Sequence, residues 1–364
     1  MKIFFIASAD SIHSFKWVNY FAQMGHDVHW ASLEPLIFNG KMENIRFYQM
    51  KSQEKIFPLS LFIDALRIRC LVRKIKPDII HAHYAGRNGF LGALTFFHPF
   101  VLTAWGSDIL ISAKSKTKGV AIKFALKKAD LITCDAEHMR KAMMELGILS
   151  SKINIIYFGI DTKKFCPAQK DTELKKKLRI FDFPAVISSR GLESIYNIET
   201  LIEAIPIISK ELPETKFIIA GKGSEEKKLK ELAKILKVSE KIRFVGWVPN
   251  DDLPSYLGTA DVYVSTALSD AGIAGSTAEA MACGLPVVIT NTGENEKWVK
   301  NGEGGYLIPV KNPEILAEKI ICLLKNENLR KKFGQINRKI IEERNNYYQE
   351  MEKMENIYKE LIKK

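Results

Sequence analysis

The sequence predicts an α/β protein made of two doubly wound, Rossmann-like domains, each built on a parallel sheet. Short runs rich in Val, Ile and Phe alternate with longer amphipathic segments along the whole chain. Most of these runs are continuously apolar rather than alternating, as strands covered by helices on both faces are. At 364 residues the chain is also long for one domain, since a domain usually takes about 150.

In the first half, strands are expected at Lys2–Ala7, Asp27–Ser32, Ile45–Tyr48, Asp78–His83, Phe100–Ala104, Asp130–Thr133 and Ile153–Ile156. Helical periodicity marks Ser14–Met24, Ser60–Ile75, Gly119–Lys128 and Glu137–Leu146. The second half repeats the scheme, with strands at Ala185–Ser188, Lys216–Ala220, Ile242–Val245, Asp261–Val264 and Pro286–Thr290. Its helices are expected at Ile198–Glu211, Glu225–Leu236, Ser276–Cys283 and Pro313–Lys325. Gly159 and Pro167 flank a polar turn that reads as the joint, giving domains 1–164 and 165–346. The segment 347–364 reads as a terminal helix with Met351, Met354, Tyr358 and Leu361 on one stripe, packing back towards the first domain. Ligands of such sheets bind beyond the strand carboxyl ends, at the point where strand order reverses. Two such domains facing each other would set those ends across a cleft and bring two substrates together.

Composition excludes several classes. A hydrophobic share of 46% with 26% charged residues rules out disorder and fibrous repeats. Residues 88–107 carry no charge, close to the about 20 residues that span a bilayer. His98-Pro99 splits that run, so a buried helix followed by a buried strand is expected. Lys2 and Ile3–Ala7 mimic a secretion signal, but the run is shorter than the about 7–15 residues needed and Asp10 closes it. Cys70, Cys134, Cys166, Cys283 and Cys322 lack paired spacing, which argues for reduced thiols in the cytoplasm rather than zinc or disulfides.

The net charge is +12, and its distribution is uneven. Residues 1–164 hold 23 Lys and Arg against 13 Asp and Glu, while residues 165–364 hold 31 against 29. Two clusters stand out: Lys114, Lys116, Lys118, Lys123, Lys127 and Lys128, and Arg67, Arg69, Arg73, Lys74 and Lys76. Solvated helix faces are one reading, and docking on an anionic membrane surface at the inner face of the cell is the other.

The richest chemistry lies in Ser265–Val288. A polar loop with Asp270, Gly272, Ile273, Ala274 and Gly275 leads into a helix at Ser276, followed by Gly284 and a strand. Backbone N–H groups and the positive end of the helix dipole suit a phosphate there. Glu279, one turn inside, can accept hydrogen bonds from vicinal sugar hydroxyls. Arg190, in Ser188-Ser189-Arg190-Gly191-Leu192, follows a strand, and a guanidinium fork suits a diphosphate. Gly221-Lys222-Gly223 also follows a strand, without the third glycine of a dinucleotide site. Ser8–His13 holds Asp10, Ser11 and His13 beyond the first strand, with helix capping by Ser14 as the local alternative. His81-x-His83 ends another strand and lacks a third metal ligand.

The run Glu279–Val288 resembles the signature of the retaining glycosyltransferases of family 4, which have the GT-B fold: a Glu-x7-Glu followed by Ala-Met-Ala-x-Gly-x-Pro-Val-Val. Eight residues separate Asp270 from Glu279, and Ala271 stands where the first Glu is usual. With one residue absorbed by the loop, Asp270 replaces that Glu, which in the family contacts the donor sugar, while Glu279 meets the ribose. Arg190 resembles the family's diphosphate arginine. The lysine usual five residues later is absent, Tyr196 stands nearest its slot, and Lys222 would be a compensating cation. Phe244–Pro249 resembles the element whose backbone, at Val245 and Gly246, meets the base; Trp247 fits either that role or the core. Thr103-Ala104-Trp105-Gly106-Ser107-Asp108 resembles Thr-x-His-Gly-x-Asp, with Trp105 in place of the histidine that touches the donor.

The resemblance implies a two-domain, metal-independent, retaining glycosyltransferase that takes a nucleotide-diphosphate sugar, UDP-sugars favoured, as co-substrate and needs no cofactor. Asp10, Ser11, His13 and His83 would hold a saccharide or lipid-linked acceptor. A nucleotide-sugar epimerase on the same fold is the second reading. A nucleic-acid-binding protein is the third, disfavoured because no aromatic groups interleave with the basic clusters and no groove-reading motif is present.

Overall fold

The computed structural model describes residues 1–37, 43–50, 59–168, 171–181, 183–270 and 272–363, so Ala271 and Lys364 fall outside the described residues. The chain forms two compact units, one of Met1–Phe158 with Tyr348–Lys364 and one of Gly159–Tyr347.

The first unit carries strands β1 (Lys2–Ile6), β2 (Asp27–Ser32), β3 (Ile45–Gln49), β4 (Ile79–His83), β5 (Phe100–Thr103), β6 (Leu131–Cys134) and β7 (Ile153–Ile155). They form one parallel sheet in the order β3-β2-β1-β4-β5-β6-β7. All seven expected strands are present, and strand order reverses between β1 and β4. The uncharged stretch resolves into helix Arg87–Ala93 and strand β5. No helix of the described residues is long and apolar enough to cross a membrane.

The inner strands β2, β1, β4, β5 and β6 are buried at almost every position, whereas the edge strand β3 has no buried residue. Phe4, Phe5, Trp17, Phe21, Trp30 and Phe100 are fully buried. The terminal helix Tyr347–Lys363 lays Met351, Met354 and Tyr358 into the same core, while Leu361 is only half-buried. Helix Ile12–Gln23 starts at Ser11, whose hydroxyl accepts from the Ser14 amide, so Ser11 and not Ser14 is the cap. Ser14 is instead buried, its Oγ 3.3 Å from His83 Nδ1.

A line of polar groups runs through this core. His81 Nε2 lies 2.6 Å from Thr103 Oγ1, which lies 2.6 Å from Thr133 Oγ1, and His81 Nδ1 bonds the Tyr358 hydroxyl. Burial, then the neighbouring His13, lowers the His83 pKa to about 3, and burial also holds His81 well below the ordinary histidine value. Unfolding frees both rings to take protons near pH 6.5, so acid favours the unfolded chain. Stability is therefore full above about pH 6.5 and falls below it, each histidine adding up to about 1.4 kcal/mol per pH unit. Urea midpoints measured from pH 7 to pH 5 should show this slope, and His83→Phe should reduce it by the share of one histidine while His81 keeps the rest.

The second unit holds β8 (Ala185–Ser188), β9 (Lys216–Ala220), β10 (Ile242–Gly246), β11 (Val262–Ser265), β12 (Val287–Thr290) and β13 (Gly305–Ile308). They too form a parallel sheet, ordered β10-β9-β8-β11-β12-β13, with the reversal between β8 and β11. Helices Ile198–Glu211 and Pro313–Lys325 bury Ile202, Ile205, Ile208, Leu316, Ile320 and Leu323 against Val186, Phe217 and Val288. Strand β13 and helices Leu253–Thr259 and Glu327–Arg344 go beyond the expected elements.

Candidate active site

The strand reversal of the second sheet gathers the candidate donor groups. Arg190 leaves the carboxyl end of β8 and Asp270 the loop after β11, and their side chains meet at 2.7 Å with both about 90% buried. The guanidinium carbon sits 4.4 Å from the Tyr196 ring centroid, and a terminal nitrogen lies 3.5 Å from Ser276 Oγ. The ring standing near the missing lysine's slot thus braces Arg190 rather than adding a charge. Ser276 Oγ also accepts from Tyr263 Oη at 2.9 Å. Burial pushes the Asp270 carboxyl above its ordinary range, against the opposing pull of Arg190 and of a hydrogen bond from Asn295.

Helix Gly275–Ala282 begins beside this pair, and no side chain caps it at Ala274. A Cβ on Gly275 would meet nothing within 4 Å, so its first turn leaves room for a ligand at the amides. Gly272 and Ile273 are buried in the loop leading to it. Glu279, one turn further, is half-buried and accepts from Asn250 Nδ2 at 3.3 Å. Lys164 Nζ lies 2.6 Å from both Asn250 Oδ1 and Asp251 Oδ1, which fixes that asparagine from the other side. Glu279 is therefore tied to a polar cluster of Asn250, Lys164 and Asp251.

The glycines of Gly221-Lys222-Gly223 have a packing role. A Cβ on Gly221 would fall 2.1 Å from the Arg190 carbonyl oxygen, and one on Gly223 2.3 Å from that of Leu192. Their bareness lets the loops after β8 and β9 touch, which sets the position of Arg190. Lys222 is exposed, with no ion-pair partner among the described residues, and its carbonyl accepts from the Leu192 amide at 2.9 Å. Val245 and Gly246 end β10 at a register shift, Gly246 with φ +73°. Trp247 is 66% exposed, which removes the core alternative for it.

In the first unit, the strand reversal lines a hollow of about 320 Å³ with Asp10, Ser11, His13, His83, Trp105 and Phe158. Trp105 and Phe158 stack with centroids 4.8 Å apart and planes 5° off parallel, and His13 lies 4.6 Å from Phe158. Trp105, grouped with the donor by the resemblance, thus shares this hollow with the acceptor candidates. Its loop is held by Asp108, which is fully buried and accepts from the amides of Ala85, Trp105, Gly106 and Ile109. His83 Nε2 is buried without a hydrogen-bond partner. Among the described residues no cluster of three His, Cys, Asp or Glu could hold a metal ion.

Sequence reasoning missed Phe158, Asn250, Asn295 and Tyr263. Phe158 and Asn250 border segments already singled out, the joint and the Phe244–Pro249 loop, so proximity was their only signal. Asn295 and Tyr263 carry none that a single sequence shows.

Two parallel doubly wound sheets, each with its own strand reversal, give the α/β architecture of the GT-B class. The family described as "Glycosyl transferases group 1" matches residues 170–340, and that described as "Glycosyl transferase 4-like" matches residues 2–136. The chain belongs to this group 1, glycosyltransferase 4-like family. It is 25% identical over 353 residues to the N-acetyl-alpha-D-glucosaminyl L-malate synthase of Bacillus anthracis, covering 94% of this chain and 91% of that one. It is 28% identical over 255 residues to the UDP-Gal:alpha-D-GlcNAc-diphosphoundecaprenol alpha-1,3-galactosyltransferase of Escherichia coli, covering 66% of this chain and 65% of that one. Anabaena HepE, solved in complex with UDP, shares the fold with a TM-score of 0.86 at 19% identity, over 99% of this chain and 100% of that one.

Proposed function

We propose that this glycosyltransferase moves a hexosyl or N-acetylhexosaminyl group from a UDP-sugar to a saccharide or lipid-linked acceptor, with retention of configuration and without a metal ion. The observation that carries the reading is Arg190, buried at the strand reversal beside the uncapped start of helix Gly275–Ala282. In this reading the bond from C1 of the sugar to the diphosphate oxygen breaks, and the acceptor oxygen bonds C1 on the same face. The acceptor's proton passes to the departing phosphate oxygen. Charge accumulates on that phosphate, so a preorganised guanidinium and backbone amides are the main catalytic contribution.

Asp270 then meets the sugar, and Glu279, held by Asn250, meets the ribose. Val245 and Gly246 line the base, and Lys222, with no ion pair among the described residues, supplies the second phosphate cation. The hollow with Asp10, Ser11, His13 and His83 takes the acceptor, where the stacked Trp105 and Phe158 suit the apolar face of a sugar ring. UDP in the Anabaena structure and the lipid-linked acceptor in the Escherichia coli relative's name support the two substrate choices. Five free cysteines support a cytoplasmic placement.

Incubation with UDP-sugars tests the reading. UDP release should depend on an added acceptor, and NMR of the product should show the donor's anomeric configuration. Formation of an epimer without acceptor would sink it in favour of isomerisation. A thermal-shift panel should show UDP raising the melting temperature, because a ligand of the native state stabilises it.

A further inference from the structure

The cations of helix Leu59–Ile75 differ in kind from those of the second unit. There, lysines face carboxylates three or four residues away, as in Lys228–Glu225, Lys230–Glu226, Lys234–Glu231 and Lys331–Glu327. Helix Leu59–Ile75 has one acid, Asp64, which is buried and already engaged by Arg87 at 3.0 Å and by Arg67. Arg69, Arg73 and Lys76 have no carboxylate partner among the described residues. These three line a hollow of about 330 Å³ together with Phe96 and Phe97.

Aromatic and aliphatic groups lie exposed beside them. Phe96 is 54% exposed, with the Arg69 guanidinium 5.4 Å and Lys128 Nζ 5.8 Å from its ring centroid. Further towards the start of the helix, Phe62 is 60%, Ile63 40% and Leu66 47% exposed. The helix dipole accounts for Arg73 and Lys74 in the last turn. It does not account for Arg69, for the hollow, or for solvent-facing Phe62.

We propose that this face of the first unit docks on an anionic lipid bilayer. Arg69, Arg73 and Lys76 take lipid phosphate in the hollow between them, and Phe62, Ile63, Leu66 and Phe96 enter the boundary with the acyl chains. Unpaired cations bordered by apolar groups match the layered chemistry of a membrane interface. Nucleic acid would answer the charge but leave the aliphatic stripe in water. The inference names a partner for the acceptor unit, and it rests on the transferase reading only for what docking serves.

The test is sedimentation with vesicles and needs no turnover. The whole protein should bind vesicles of equimolar phosphatidylcholine and phosphatidylglycerol, bind pure phosphatidylcholine far less, and release as salt rises. Replacing Arg69, Arg73 and Lys76 together by glutamine should lower partitioning about 100-fold, at roughly fivefold per cation. Phe62→Ser with Leu66→Ser should weaken binding while keeping its salt sensitivity. Both variants should transfer sugar to a water-soluble acceptor at the parent rate, which shows that fold and site survive. Equal binding to neutral vesicles, an unchanged triple variant, or tighter binding to duplex RNA than to vesicles overturns the docking. Vesicle binding as expected, with no lipid-linked acceptor ever glycosylated, upholds the docking and removes that acceptor.

Discussion

Replacing Arg190 with alanine should lower the transfer rate by about 10²- to 10³-fold, the loss seen when one preorganised donor to a developing anion is removed, or about 3–4 kcal/mol. The guanidinium is held on three sides: by Asp270 at 2.7 Å, by the Tyr196 face at 4.4 Å and by Ser276. That confinement reduces the ordering it must undergo as the phosphate charge builds. Arg190→Lys should recover little, since an ammonium on a flexible stem has neither the fork nor the flat face that stacks on Tyr196. Asp270→Asn should separate binding from chemistry. The carboxylate now occupies the guanidinium edge that a diphosphate would use, so the amide should bind UDP no less tightly while transfer falls. Steady-state rates and UDP titrations of the three variants check this, and an unchanged rate in Arg190→Ala would remove the proposed site.

Tyr358→Ala should cost the first unit about 3–5 kcal/mol from the cavity alone. Its ring is fully buried, packs 4.9 Å from that of Phe21, and its hydroxyl bonds His81 inside the core. Removing it also strips that partner from His81 Nδ1, a further penalty of about 1–3 kcal/mol for a buried polar group. Domains have about 5–15 kcal/mol in total, so this variant should sit near the edge of folding. Tyr358→Phe removes the hydroxyl but keeps the packing, and Leu361→Ala alters a half-buried position. Urea denaturation should rank the three with Tyr358→Ala far lowest. Comparable midpoints for all three would mean that the terminal helix contributes little to this core.

Much of this was legible in the residues. Continuous apolar runs gave both sheets because strands covered on two faces need apolar groups at every position. The strand at Gly305–Ile308 escaped because it follows Gly302-Glu303-Gly304 and is itself glycine-led. A Cβ on Gly305 would fall 2.0 Å from the Val287 carbonyl oxygen, so close strand packing, not propensity, selects the residue. Helix Glu327–Arg344 escaped for a related reason. Its buried face is Phe333, Gly334, Asn337 and Ile341, and only two of these are apolar side chains. Asn337 earns its burial by donating to the Leu285 and Gly304 carbonyls at 2.7 Å each, bonds that no periodicity reveals.

The site divides the same way. Local patterns place Arg190, Asp270 and Glu279 at strand ends and a helix start, because those positions follow from where each apolar run stops. Chain order likewise gives the class of the protein, since alternating strands and helices in two sets permit few topologies. That Arg190 pairs with Asp270, rests on Tyr196 and owes its position to bare Gly221 depends on contacts between residues far apart in the chain. Such contacts exist only once the parallel sheet sets β8 beside both β9 and β11. The same holds for Trp105, which motif order groups with the donor and packing sets against Phe158 in the first unit. Hydrophobic burial sets the layers from the residues themselves; close approach and desolvation between distant segments set the chemistry.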